Sequence, residues 1–126
     1  MNIEEKKWSK NQKFGLFSKE SKENDLWNNI IFYKLEHNNK FFFGKKHLND
    51  NRNKKELNNI INVYNSLNKD KLINFYGYSK KYGLIFEWLD DFKYVKKTKL
   101  IVNDITLVDV DIINVNGVEK FIDFER

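Results

Sequence analysis

The feature that most constrains the fold is a single change of hydrophobic period in the middle of the chain. Between residues 49 and 70, apolar side chains recur at the i, i+3, i+4, i+7 spacing of one helix face. These side chains are Leu57, Ile60, Ile61, Tyr64 and Leu67. Asn49, Asp50 or Asn51 can cap the helix, because their side-chain oxygens accept backbone N–H groups. We therefore expect one long helix over residues 50–68, with this stripe packed on a sheet.

Short apolar and aromatic runs flank this helix within residues 26–48 and 72–124, and turn-prone residues separate them. We expect turns at His37–Lys40 and at Ser79–Gly83. Asn116-Gly117 is the strongest hairpin signal, because both residue types tolerate positive φ. The sequence therefore predicts an α+β fold, in which one long helix packs on an antiparallel sheet.

The composition is typical of one globular domain. The chain has 126 residues, of which 40% are hydrophobic and 16% aromatic. We expect residues 1–25 to form a polar N-terminal segment and residues 26–126 to form a single domain. No cysteine is present, which excludes disulfides and thiolate metal sites and is typical of a cytoplasmic protein. No long apolar run occurs, so we expect neither a membrane span nor a secretory leader.

The charge balance leaves two kinds of partner open. Lys and Arg number 23 against 18 Asp and Glu, a formal net charge of +5. Most of the cations lie in the N-terminal half and in residues 69–99, so a basic surface could contact nucleic acid. All but Arg52 and Arg126 are lysines, however, whereas arginine is the usual residue for bidentate phosphate contacts. The coding bias of an AT-rich genome explains the same composition without any nucleic-acid surface.

Four short motifs occur in an order that one known family shares. A strand carries Lys45 and Lys46, the helix carries Glu56, two strands lead to Glu87–Asp91, and Asp123-Phe124-Glu125 follows a last strand. In this order the motifs resemble the small lobe of a protein kinase followed by its metal-binding hairpin, which ends in Asp-Phe-Gly. The match covers about residues 30–126. Glu125, in the third position of the last motif, resembles the small-molecule and atypical kinase relatives more than the protein kinases proper.

The resemblance implies a nucleotide site with ATP and Mg²⁺ as candidate ligands. Lys45 is preferred over Lys46 because it aligns with the Val-Ala-Ile-Lys pattern, and Glu56 would pin it toward the phosphates. Glu87 would lie in the hinge segment beside the nucleotide, and Asp123 would be a metal ligand. From the residue types alone, a solvated rim explains Lys45, Lys46 and Glu56 equally well.

The segment that matches the kinase catalytic loop has two alternative registers. In the first, Asp104 takes the place of the general base and Asp109 that of the metal-binding Asn. In the second, Asp111 takes the Asn position and Thr106 replaces the base. The first register retains carboxylates that could hold Mg²⁺ and orient a hydroxyl. Simple strand alternation, with Asp109 and Asp111 on the solvent face, explains the same residues without any site.

Parts of a kinase that the chain lacks argue against catalysis. Only Gly15 precedes the first strands, so no glycine-rich phosphate loop is evident. Too few residues separate Asp91 from Asp104 for the first helices of a large lobe, so we expect neither a large lobe nor a substrate platform. The sequence therefore predicts a non-catalytic kinase-like binding module that contacts a protein partner, with no cofactor or at most vestigial ATP and Mg²⁺ binding. The alternative is a small basic phage or mobile-element protein that binds nucleic acid or inhibits a nucleic-acid-processing machine.

Overall fold

The computed structural model describes residues 29–125, which form an α+β fold as predicted. The strands are β1 (Ile30–His37), β2 (Lys40–His47), β3 (Phe75–Ser79), β4 (Gly83–Glu87), β5 (Lys93–Val102), β6 (Ile105–Val115) and β7 (Val118–Ile122). Helix α1 spans Asp50–Ser66, and a short 3-10 helix spans Lys69–Lys71. The predicted polar segment at residues 1–25 lies outside the described residues.

The strands form two antiparallel sheets. The sequence predicted antiparallel pairing but did not indicate that the strands divide into two sheets. The described chain divides into two compact units. The first unit comprises residues 29–53 and 74–90, and the second comprises residues 54–73 and 91–125. Helix α1 contributes its first residues to the first unit and the remainder to the second.

The first unit contains a four-stranded sheet with the strand order β1-β2-β4-β3. Asn38 and Asn39 form the turn between β1 and β2 with φ values of 49° and 62°. Two successive positive φ values define the type I′ turn that suits a two-residue hairpin, and asparagine tolerates them. Ser79 and Gly83 bound the turn between β3 and β4. Both predicted turns of this unit are therefore confirmed.

The second unit contains a three-stranded sheet with the strand order β5-β6-β7. Asn116 and Gly117 join β6 to β7 with φ values of 52° and 87°, which confirms the predicted hairpin. Asn103 and Asp104 form a second turn of the same kind, with φ values of 49° and 62°. Local turn chemistry thus sets both hairpins of this sheet.

Helix α1 occurs where the sequence predicted it, but its buried face is rotated from the predicted stripe. Asn49 caps the helix, because its Oδ1 accepts the backbone N–H of Asn51 at 2.9 Å. Ile60 is 0% exposed as expected, whereas Ile61 is 48% exposed, so its placement in the buried stripe was wrong. Leu57, Tyr64 and Leu67 are half-buried. The fully buried positions are Asn53, Glu56, Asn59, Ile60 and Val63.

Buried polar side chains occupy part of this face. Asn53 and Asn59 are satisfied by backbone groups, which removes most of the cost of their burial. Asn53 accepts the N–H of His47 at 2.8 Å and donates to the His47 carbonyl at 2.8 Å. Asn59 donates to the carbonyl of Phe124 at 2.7 Å. A stripe drawn through apolar residues alone cannot include these positions.

Candidate functional site

Lys45, the preferred nucleotide-binding lysine, lies on β2 and is only 7% exposed. It lies opposite Phe32 on β1 and Leu84 on β4, and residues directly opposite in a sheet share a face. Phe43 precedes Lys45 by two residues, so it also shares that face. The surroundings of Lys45 within the first unit are therefore set by the side chains on this face of the four-stranded sheet.

A row of aromatic rings covers the same face beside Lys45. Phe43 stacks on Phe32 with ring centroids 5.6 Å apart, and its centroid lies 6.4 Å from that of Phe86. Phe86 in turn contacts Phe75, with centroids 5.1 Å apart. We name Phe32, Phe43, Phe86 and Phe75 the aromatic row. The row extends across all four strands, because each ring comes from a different strand.

The structure distinguishes Lys45 from the alternative lysine. Lys46 is half-buried, and its Nζ donates to the carbonyl of Lys81 at 3.3 Å, in the turn between β3 and β4. Lys46 also lies on the opposite face of β2, because successive strand residues alternate. Of these two lysines, only Lys45 therefore lies on the face of the aromatic row.

Glu87 ends β4, where the sequence placed the hinge segment. Its Oε1 accepts the N–H of Asn74 at 2.8 Å, and its own N–H donates to the Asn74 carbonyl at 2.9 Å. Trp88 follows and donates from Nε1 to Asp90 at 3.0 Å. Glu87 thus fixes the chain just before β3, a structural role that its sequence position did not suggest.

Glu56 is 1% exposed and lies on the buried face of α1, so it does not belong to a solvated rim. A charged side chain so deeply buried is almost always paired. Lys45 belongs to the first unit and Glu56 to the second. The ion pair that the resemblance implies between them stays a prediction.

Asp104, the candidate general base, is exposed and occupies the second position of the turn between β5 and β6. Aspartate is favoured there because it tolerates positive φ better than most residues. The turn alone therefore explains why an acidic residue occurs at this position.

Asp109, a candidate metal ligand, lies in a bulge of β6. Thr98 pairs with Val110 and Leu100 pairs with Leu107, so two residues of β6 lie opposite Lys99 of β5. Asp109 is the second of the two, with φ of 56°, and it is exposed. The bulge shifts the register of β6 by one residue beyond Asp109, and this shift places Asp111 opposite Lys97.

Lys97 and Asp111 form an ion pair, with Nζ 2.8 Å from Oδ1. The hydrogen bond to Asp111 raises the pKa of Lys97, partial burial opposes this, and the charges of Asp111 and Asp123 raise it further. Asp123 directly follows β7, is half-buried and has φ of 70°. The Lys97 ammonium thus lies against one carboxylate oxygen of Asp111, and a metal ion binding to that oxygen would have to displace it.

Sequence reasoning did not identify Lys97. Counting outward from the turn at Asn103-Asp104 with regular pairing, Lys97 would lie opposite Val110, whereas the bulge places it opposite Asp111. The sequence signal for this pair was the run of lysines in β5, followed along the chain by a strand that carries two aspartates.

The C-terminal segment completes the core of the second unit through Phe124. That side chain is buried, and its ring meets Tyr64 edge-on, with centroids 6.4 Å apart. Phe121 is only half-buried. Lys120 donates to the carbonyls of Asp70 and Leu72, both at 3.2 Å. These contacts attach β7 to the segment that follows α1.

No protein-family model matches the chain, and neither a curated protein nor a solved structure is significantly similar to it. Among residues 29–125, no helix is both long enough and apolar enough to cross a bilayer.

Proposed function

We propose that this protein is a non-catalytic, kinase-like binding module that acts through contact with a protein partner. The order of elements supports the kinase-like part of the proposal. A strand with a buried lysine, Lys45, precedes a helix with a buried glutamate, Glu56. Two strands then lead to the segment that begins at Glu87.

The aromatic row is the observation that carries the non-catalytic part. It occupies the face of the sheet beside Lys45, where the resemblance would seat a nucleotide. A planar base entering there would have to displace rings that pack on one another at 5.1–6.4 Å. Closely packed aromatic side chains are costly to displace, because each buries a large apolar area. We therefore expect ATP to bind weakly or not at all.

The carboxylates also fit poorly with phosphoryl transfer, which depends on positioned groups and bound metal. Asp104 and Asp109 are exposed on a turn and a bulge. Asp111 is neutralised by Lys97. None of these three environments favours a metal ion bound by several carboxylates.

Exposed apolar side chains on the second sheet favour a protein partner. Large apolar residues that remain in water mark interaction surfaces when they cluster. The exposed ones on β5 and β6 are Tyr94, Val95, Ile101, Ile105 and Val108. Ile101 pairs with Thr106, which precedes Val108 by two residues, so Ile101 and Val108 share one face of the sheet. This face is the surface that we assign to partner contact.

A ligand-dependent melting experiment tests the non-catalytic part. The protein is melted with and without about 5 mM ATP and excess Mg²⁺, at which a Kd of about 50 μM would stabilise it by about 2.7 kcal/mol. We expect no shift and no transfer of radiolabelled phosphate to the protein. Lys45→Met is compared with Lys80→Met, an exposed lysine in the turn between β3 and β4. An ATP-dependent shift in the wild type and Lys80→Met that Lys45→Met abolishes would refute the proposal.

Site-specific photo-crosslinking tests the binding part. A crosslinking residue replaces Ile101 on the proposed surface or, as the control, Lys80. We expect one discrete protein adduct from position 101 and none from position 80 in the cells that produce the protein. Equal labelling at the two positions, or none at either, would argue against this surface.

A further inference from the structure

Strand β5 is a long edge strand whose side chains remain in solvent. It has 10 residues and lies at the edge of the β5-β6-β7 sheet. Seven of its side chains are exposed, and Ile101 is 69% exposed. An edge strand presents backbone N–H and C=O groups that another strand can pair with, and most edge strands are shorter than this one.

The charge of β5 selects among the strands that could pair with it. The strand carries 4 lysines and no acidic residue. Lys97 is engaged by Asp111, while Lys93, Lys96 and Lys99 are exposed. Pairing with β5 of a second copy would bring lysines against lysines, which is destabilising across a sheet. An acidic strand would instead place carboxylates beside these ammonium groups.

We propose that β5 binds an extended acidic segment of a partner protein, which adds to the sheet as a fourth strand. Backbone hydrogen bonds would supply affinity, and the lysines would select acidic side chains, as in other cases of strand addition. The proposal rests on the binding function proposed above and specifies its partner. A bulge at Val95 interrupts the pairing of β5 with β6, so the docking segment is Lys96–Val102.

The probe is a fluorescein-labelled peptide of glutamate and valine, about nine residues long to match a strand. It carries glutamates on both faces, because Lys96 and Lys99 lie on opposite faces of β5. Its binding is followed by fluorescence anisotropy, and hydrogen exchange locates the amides that it protects. One control peptide has lysine in place of every glutamate. A second keeps the glutamates but is N-methylated at alternate residues, which removes the backbone donors of one edge. Single-stranded oligothymidylate of similar charge tests the nucleic-acid alternative.

Two double variants with the same change in charge provide the protein controls. Lys96→Glu/Lys99→Glu alters β5, whereas Lys55→Glu/Lys80→Glu alters exposed lysines on α1 and in the turn between β3 and β4. We expect the β5 variant to weaken binding of the acidic peptide about tenfold, and the control variant to change it by less than about twofold. We also expect protection confined to residues 96–102, and no binding of the lysine or N-methylated peptide.

Three outcomes would overturn the proposal. Equal binding of the N-methylated peptide would show attraction of charge without strand addition. Oligothymidylate binding that is tighter than peptide binding, and lost in the same β5 variant, would assign the surface to nucleic acid. No binding of the acidic peptide would exclude β5 as an acceptor of such segments. Failure of the proposed binding function is measured separately, by photo-crosslinking from position 101, which detects partner contact whatever the charge or conformation of the partner.

Discussion

Two adjacent isoleucines on α1 provide a matched test of how the helix is oriented. Ile60 is 0% exposed and Ile61 is 48% exposed, so the same substitution probes a buried and an exposed position of one helix turn. Replacing isoleucine with alanine removes three carbon atoms, worth about 0.8 kcal/mol each when buried. The cavity left at Ile60 adds to this, and we expect Ile60→Ala to lower the free energy of unfolding by about 2–5 kcal/mol.

We expect Ile61→Ala to change the free energy of unfolding by less than about 0.5 kcal/mol, because about half of this side chain is exposed to water. Alanine gains a few tenths of a kcal/mol of helix propensity over isoleucine, roughly equal at both positions. The difference between the two variants therefore cancels that gain and reports burial alone. It should be at least about 2 kcal/mol, which is a large part of the stability of a small domain.

Urea denaturation followed by far-ultraviolet circular dichroism measures this difference directly. Unfolding midpoints are converted to free energies with a shared slope, and equal slopes verify that the denatured states are comparable. Equal destabilisation by both substitutions would refute the assigned orientation of the helix. A larger loss in Ile61→Ala would restore the apolar stripe that the sequence suggested.

The other predictions concern the two sheets. Gly83→Ala should lower the free energy of unfolding by about 2–5 kcal/mol, because φ is +77° and a Cβ would lie 2.3 Å from a β2 carbonyl oxygen. Gly117 has open space around it, so Gly117→Ala should lower the free energy of unfolding less in the same denaturation assay. Phe124→Ala should lower the unfolding free energy by about 3–5 kcal/mol, and a variant of unchanged stability would contradict the structural account of the C-terminal segment. The Lys97 pKa is raised above 10.5 in the folded protein, so its ion pair with Asp111 contributes stability below pH 10.5 that is lost as pH rises through the folded pKa. Lys97→Met should therefore cost up to about 1 kcal/mol at neutral pH and nothing at pH well above that pKa; a pH-independent cost would exclude the ion pair as its cause.

The sequence predicted the elements that carry the candidate site better than the surroundings of its acidic residues. The strand of Lys45, the helix of Glu56 and the segment after β4 all occur where the motifs placed them. The surroundings of the candidate metal ligands were less predictable. The sequence left open whether Asp109 or Asp111 matches the metal-binding Asn, and the bulge at Asp109 places Asp111 opposite Lys97. Nothing local reveals such a bulge, because it depends on how β6 fits its neighbours on both sides.

By itself the sequence determined the turns, the position of the helix and the α+β class. Asn-Gly and Asn-Asn pairs adopt positive φ at little cost wherever they occur, so these turns need no distant partner. Only the tertiary structure decided which helix face is buried and which lysine meets Asp111. Asn59, for example, can be buried because it bonds the Phe124 carbonyl, 65 positions further along the chain. The energy of a buried polar group depends on partners brought together by folding, and residue order alone does not specify them.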